Sequence, residues 1–379
     1  MSKETIKKGI DLLFQMYDDN NEDALINHHT KGLVIDFIGG EPLLNMEVIT
    51  YGSKYFLDEC IRRDHIWLTN FRFNISSNGI RYFDTDVQEY LKKFGQFTHL
   101  NITLDGPKEL HDSCRIDANG NGSFDIVIKA YKDWIEKNGY ASTKITIAPE
   151  NLPQLNTIID FFVDLGCQDI HANPIFEREW TVEDAKIYYQ QLKILADKFL
   201  LYPDIELDLF GETYCKPLSP DNNKNWCGGT GEMVSFDPDG IAYPCIRYME
   251  TSLGEKITPI TIGSVDGIYI TKQEKEILNN FKNITRRSQS TDECYYCPIA
   301  SGCAWCSAWN YQKLGSANKR YTGICWMHRA RSLANSYYYN KLYRLQGSEK
   351  RFPVYLPYTL ALEIVSEKEY GELIRLSLD

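Results

Sequence analysis

Four cysteines fall within thirteen residues, CYYCPIASGCAWC, from Cys294 to Cys306. Cys227, Cys245 and Cys325 lie around them, so seven of the eleven cysteines sit between 227 and 325. Sulfur this dense can hold structural zinc, hold iron–sulfur clusters, or remain as buried thiols. Zinc ribbons keep roughly 15–20 residues between CxxC pairs, so that each pair has its own knuckle. Here five residues separate Cys297 from Cys303, which is tight for one tetrahedral ion. Iron–sulfur clusters are held by thiolates and suit dense spacing with apolar shielding. Cys60, Cys114 and Cys167 stand apart and read as ordinary thiols.

A second set of chemical residues lies at the ends of apolar runs. These are Gly39-Gly40-Glu41-Pro42, Ser76-Ser77-Asn78-Gly79, Thr103-Leu104-Asp105-Gly106, Glu150-Asn151 and Asn173. Glycines let a ligand approach the backbone, while carboxylates and amides grip an amine or sugar hydroxyls. In parallel α/β folds, ligands bind at the carboxyl ends of the strands.

The elements that must position these residues alternate. Ile6, Ile10, Leu13, Phe14 and Tyr17 form one face of a first helix. Strands are expected within 33–42, 71–79, 98–107, 143–151 and 168–176. Helices are expected near 46–64, 84–95, 123–138, 153–165 and 181–200. This order predicts an α/β fold with a parallel sheet covered by helices. After Pro203 turn residues multiply, and we place a domain boundary near 205. Asp237-Pro238-Asp239-Gly240 is a turn between alternating runs, hence a β-hairpin bringing Cys227 toward Cys245. Helix returns over 325–346, and 347–379 reads as a C-terminal extension.

The composition narrows the function. Basic residues number 41 and acidic residues 52, a net charge of −11, which argues against binding nucleic-acid phosphates. No apolar run reaches 18 residues, so no membrane span is expected. The amphipathic N-terminal helix is not a signal peptide. The expected location is the cytoplasm, where thiols stay reduced and a disulfide framework is not expected.

The cysteine pattern Cys227-x12-Gly240-x4-Cys245, the run Cys294–Cys306 and the distant Cys325 resemble the SPASM domain of radical S-adenosylmethionine (SAM) enzymes. The family's third stretch is C-x2-C-x5-C-x3-C; this chain ends it with x2. The resemblance implies one 4Fe–4S cluster on Cys294, Cys297, Cys303 and Cys325. It implies a second on Cys227, Cys245 and Cys306, and Cys215 can complete that set. "FIGGEP" resembles the GGEP motif that contacts the methionyl amine of SAM. "TLDGPKELHDSCR" (103–115) is similar to a stretch of sulfatase and peptide maturases, with Thr103 where serine is usual. These matches imply SAM binding by Gly39, Gly40, Glu41, Pro42, Ser77, Asn78, Thr103, Asp105 and Arg115, with Asp105 a candidate base.

The implied fold is a partial (β/α)6-type barrel over 1–205, lacking its first strand. A small cysteine-rich SPASM domain over 206–346 follows, with a hairpin and a C-terminal helix. The family's CxxxCxxC, which holds the cluster that cleaves SAM, does not occur in these 379 residues. The chain also opens on a helix where such folds begin with a strand, so a strand and loop upstream of Met1 are expected. The alternative is a relative that has lost the cluster, and the chain as written is expected to bind SAM weakly without generating a radical. A third cluster belongs only to a longer form. The implied activity is radical modification of a cysteine-containing ribosomal peptide, with thioether formation first. Alternatives are anaerobic sulfatase maturation to formylglycine, a non-catalytic electron carrier and a zinc-binding module. Expected partners are a precursor peptide and an electron donor such as ferredoxin or flavodoxin.

Overall fold

The computed structural model describes residues 1–117, 119–139, 142–224 and 227–378. It divides into two compact units assembled from separated stretches. One comprises 1–103, 225–285 and 310–318; the other comprises 104–224, 286–309 and 319–379.

The first unit opens with α1 (Lys3–Asp19), capped by the Ser2 hydroxyl, which accepts from the Thr5 amide. Parallel strands β1 (Leu33–Phe37), β2 (Phe71–Ser77) and β3 (Thr98–Ile102) follow, with α2 (Met46–Arg62) and α3 (Thr85–Phe94) between them. Asp36 stands opposite Asn74, and Asn74 opposite His99. Alternation decides which face is covered. Phe73, Ile75, Leu100 and Ile102 are buried beneath the helices, while Asp36 and His99 on the other face are exposed. The helices close over an aromatic cluster in which Phe14, Phe56, Trp67 and Phe73 are each 0% exposed. Ring centroids there stand 5.2 Å apart for Phe14–Trp67 and 6.0 Å for Phe56–Phe73. Burying each such ring contributes about 1.5–3 kcal/mol, so α1 and α2 are fixed to the sheet by packing.

This unit also contains the hairpin. β7 (Ser235–Phe236) pairs antiparallel with β8 (Ile241–Tyr243). The Asp237 carboxylate accepts from the Asp239 and Ile241 amides at 3.0 and 2.9 Å, and Gly240 turns the chain at φ +88°. Two further short strands, β9 (Gly263–Ser264) and β10 (Gly267–Ile268), extend it to four. Ala242, Ile262, Tyr269 and Leu278 form its core.

In the second unit, α4 (Lys108–Cys114) and α5 (Phe124–Asn138) lead into parallel strands β4 (Ser142–Ile147), β5 (Asp169–Pro174) and β6 (Glu206–Leu207). Between these run α6 (Leu155–Asp164) and α7 (Val182–Phe199). α7 begins with a reciprocal cap between Thr181 and Asp184. The helix Cys325–Leu345 lies along α7. The C-terminal extension also finds its place here: Glu369 bonds Lys193 Nζ at 2.5 Å and Tyr189 OH at 3.1 Å, and Leu373 is buried.

Candidate ligand turn and cysteine centre

The expected SAM-contacting turn is built in the first unit at the carboxyl ends of β1 and β2. Gly39 and Gly40 adopt φ of +96° and +32°, the left-handed region that glycine tolerates. Nothing lies within 4 Å of where a Cβ would stand on either, so the backbone is bare toward a ligand. Glu41 is the anchor. Its Oε1 accepts from the Leu43 amide at 3.0 Å and from Ser77 Oγ at 2.8 Å, and its Oε2 accepts from the Asn78 amide at 2.8 Å. Ser77 Oγ in turn accepts from the Gly79 amide at 2.9 Å. The Thr103 amide donates to Ser77 O at 2.8 Å, which brings the third strand end to the same place. Glu41, Ser77, Asn78 and Thr103 thus lie together at adjacent strand ends.

Asp105 and Arg115 meet in the second unit. Arg115 Nε lies 2.6 Å from Asp105 Oδ2, and Nη2 lies 3.4 Å from Oδ1. Buried His111 orders this pair. Its Nδ1 accepts from the Asp105 amide at 3.3 Å, and its Nε2 donates to Ser123 Oγ at 3.0 Å. Burial lowers the His111 pKa, consistent with that neutral tautomer. Asp105 is therefore an ion-pair partner of Arg115 here.

Four of the expected cluster ligands gather in the second unit. Cys303 is an electrostatic neighbour of Cys294 and Cys297, and Cys325 of Cys303 and Cys294. Burial pushes the Cys297 and Cys303 thiols up and raises Cys325 to about 12. The charge of Arg320 faces Cys303, Cys294 and Cys325, and its Nη2 bonds Cys303 O at 2.9 Å. The first turn is fixed by Thr291, whose hydroxyl accepts from the Cys294 amide at 3.3 Å. Arg286 lies 4.2 Å from the Tyr295 ring centre and bonds Tyr295 O at 3.0 Å. Buried His328, one turn beyond Cys325, donates from Nε2 to Ile299 O at 2.6 Å. Burial brings its pKa down to about 4, so it serves this loop as a neutral donor.

These thiols fit a thiolate-held cluster: Cys294 and Cys303 neighbour each other and both neighbour Cys297 and Cys325, all four are partly buried, and a guanidinium is there to balance their charge. Among the described residues no three His, Cys, Asp or Glu side chains close on a single-ion site. The thiolates of a cubane bind four separate irons and so stand wider apart than the ligands of one ion.

Of the remaining expected ligands, Cys227 and Cys245 lie in the first unit and Cys306 in the second. Cys245 is buried directly after β8, and Cys227 O accepts from the Thr230 amide at 3.1 Å. Cys306 precedes the helix Ser307–Leu314, and its Sγ accepts from the Trp309 amide at 3.5 Å, the end of a helix that favours a thiolate. The structure places Cys215 beside Cys303 and Cys297, with its thiol pushed up to about 12 by burial. Cys60 and Cys167 are buried and Cys114 is exposed.

Sequence reasoning missed Arg320, His328 and two polar ladders. Asn74 Nδ2 donates to Asp36 and its Oδ1 accepts from His99 Nδ1 at 2.9 Å, in register across β1–β3. His171 lies between Asp208 and Asp169 at 3.1 and 3.0 Å. Period-two alternation in the strands was the available signal, since Asp36, Asn74 and His171 each stand between apolar neighbours.

The chain is similar to known proteins over most of its length. It is 22% identical over 315 residues to the radical SAM cyclopropyl synthase TigE of Paramaledivibacter caminithermalis, covering 81% of this chain and 59% of that enzyme. It is 24% identical over 243 residues to a cysteine-type anaerobic sulfatase-maturating enzyme of Clostridium novyi, covering 59% of this chain and 61% of that enzyme. A structure of native anSMEcpe with bound AdoMet and a peptide superposes with a TM-score of 0.60 at 16% identity, over 92% of this chain and 91% of that one. The chain has the fold of a radical SAM peptide-modifying enzyme with a SPASM domain. No protein-family model matches it. The chain spans about three-fifths of the length of these two curated relatives. Among the described residues no helix is long and apolar enough to cross a membrane.

Proposed function

We propose that these residues form the SAM-binding and peptide-binding part of a radical SAM peptide maturase. The observation that carries this reading is the Glu41 carboxylate, held by Ser77 and the Leu43 and Asn78 amides beside the bare backbone of Gly39 and Gly40. Such a fixed carboxylate binds the amine of an amino-acid-like ligand. SAM bound there would, once reduced by a cluster held outside these residues, supply a 5′-deoxyadenosyl radical able to abstract hydrogen from a substrate. Gly39, Gly40, Glu41, Pro42, Ser77, Asn78 and Thr103 hold and orient it, and Asp105 and Arg115 supply charge at a neighbouring strand end. Cys294, Cys297, Cys303 and Cys325 hold one auxiliary 4Fe–4S cluster, and Cys227, Cys245 and Cys306 hold another. The substrate is a cysteine-containing peptide; joining its sulfur to carbon would remove two hydrogens, one as an atom taken by the 5′-deoxyadenosyl radical and the other as a proton, with its electron passed to an oxidised auxiliary cluster.

SAM titration of the anaerobically reconstituted chain tests this. Saturable binding that weakens at least tenfold in Glu41→Gln is expected; absence of binding in the parent chain contradicts it. Sulfatase-type maturation is the second reading, favoured by the sulfatase-maturating relative and by the fold shared with anSMEcpe. Mass spectrometry of a co-expressed cysteine peptide separates the two: thioether formation loses two hydrogens and keeps sulfur, whereas formylglycine formation replaces sulfur with oxygen.

A further inference from the structure

The centre in the second unit contains a thiol more than a cubane needs. A 4Fe–4S cluster takes four cysteine thiolates, and Cys294, Cys297, Cys303 and Cys325 already gather there. Cys215 stands with them and is 0% exposed. It is fixed by the loop that carries two of the four. The Cys215 amide donates to Ser301 O at 2.8 Å, the Lys216 amide to Ser301 Oγ at 2.7 Å, and the Ser301 amide to Lys216 O at 2.9 Å. Ser301 lies between Cys297 and Cys303.

Further features show that this position is specified. Cys215 has φ +59°, a left-handed conformation that strains a non-glycine residue. The preceding Tyr214 ring packs so closely on Gly302 that a Cβ there would stand 2.7 Å from it. Arg331 covers the same ring at 4.5 Å. The buried Asn335 side chain donates from Nδ2 to Gly211 O at 3.4 Å, at the start of the turn that leads into Cys215. Strained backbone persists only where the surroundings over-determine it, and here they aim one side chain at the cysteine loop.

We propose that Cys215 is a non-ligating wall residue of the cluster held by Cys294, Cys297, Cys303 and Cys325, where its S–H bonds a cluster sulfur and raises the reduction potential. It is then no ligand to the cluster of Cys227, Cys245 and Cys306. The physical basis is charge: reduction adds an electron, and a hydrogen-bond donor at sulfur favours the more negative state.

The proposal rests on the cluster reading above, and the test separates the two. The full chain, its Cys215→Ala and its Cys215→Ser variants are reconstituted anaerobically, analysed for iron and sulfide, and titrated with EPR detection. Both variants are expected to keep the parent's iron. Cys215→Ala is expected to disfavour reduction of one cluster about tenfold, roughly 59 mV for a one-electron couple. Cys215→Ser retains a donor and nearly the same volume, so it should fold and stay close to the parent potential. Loss of about four irons in either variant would make Cys215 a ligand and overturn the proposal, as would an unchanged potential in Cys215→Ala. A parent chain without sulfide would instead remove the cluster reading itself, before any variant is compared.

Discussion

The turn around Glu41 and the centre around Cys303, the two places proposed to hold a cofactor, are built by opposite means. At the turn three donors within the chain fix one carboxylate, Ser77 Oγ and the Asn78 amide at the end of β2 and the Leu43 amide just past Pro42, and a carboxylate so held keeps acceptor capacity for a ligand's amine. That arrangement is ordered without a ligand. At the cysteine centre, burial raises the thiols and each charged sulfur works against its neighbours. Arg320 offsets part of that repulsion, but deprotonated thiolates in a buried site call for metal. One site is made by backbone order; the other depends on what it binds, because metal binding supplies folding energy to such centres.

The largest expected effect follows from this contrast. Chelating metal from the reconstituted protein should expose 286–309 and 319–325 to limited proteolysis, with cleavage at least tenfold faster than in β1–β3. Equal cleavage of both in the metal-free protein would dissolve the distinction.

A middle-sized effect is expected at the turn itself. Glu41→Gln leaves one amide nitrogen facing a donor, and an unsatisfied polar group of this kind costs about 1–3 kcal/mol. Thermal unfolding should shift down while iron content stays unchanged. A loss of iron would show that the two sites are not independent.

The smallest effect concerns pH. Burial opposes charge on His171, but the Asp208 hydrogen bond and the charge of Asp169 outweigh it, and its pKa rises above the ordinary 6.5. A raised folded pKa stabilises fully below the unfolded value and is lost as pH climbs through the folded one. The imidazole is half exposed, so the contribution is under about 1 kcal/mol. Denaturant melts of parent and His171→Gln should therefore converge as pH rises above 6.5. A difference that grows with pH would reverse the sign.

The contrast also explains what could be seen in the sequence. Parallel strands with covering helices announce themselves by periodicity, so β1–β5 and α1–α3 and α5–α7 lie where the apolar spacing puts them. Glu41 and Ser77 were legible because a strand end is a local feature. The four centre cysteines were legible because their spacing is dense. Cys215 was not: its nearness in sequence to Cys227 pointed to the hairpin, whereas its backbone pairs with Ser301, 86 residues downstream. Arg320 and His328 were hidden for the same reason, since their partners are fixed by packing and not by local pattern. The four-stranded sheet escaped because β9 and β10 span two residues each, too short for alternation to show.

Metal and sulfide analysis of the anaerobically reconstituted chain tests the central claim most directly. Two thiolate-held cubanes predict about eight irons and about eight sulfides per chain. Zinc without sulfide, in any stoichiometry, would contradict it.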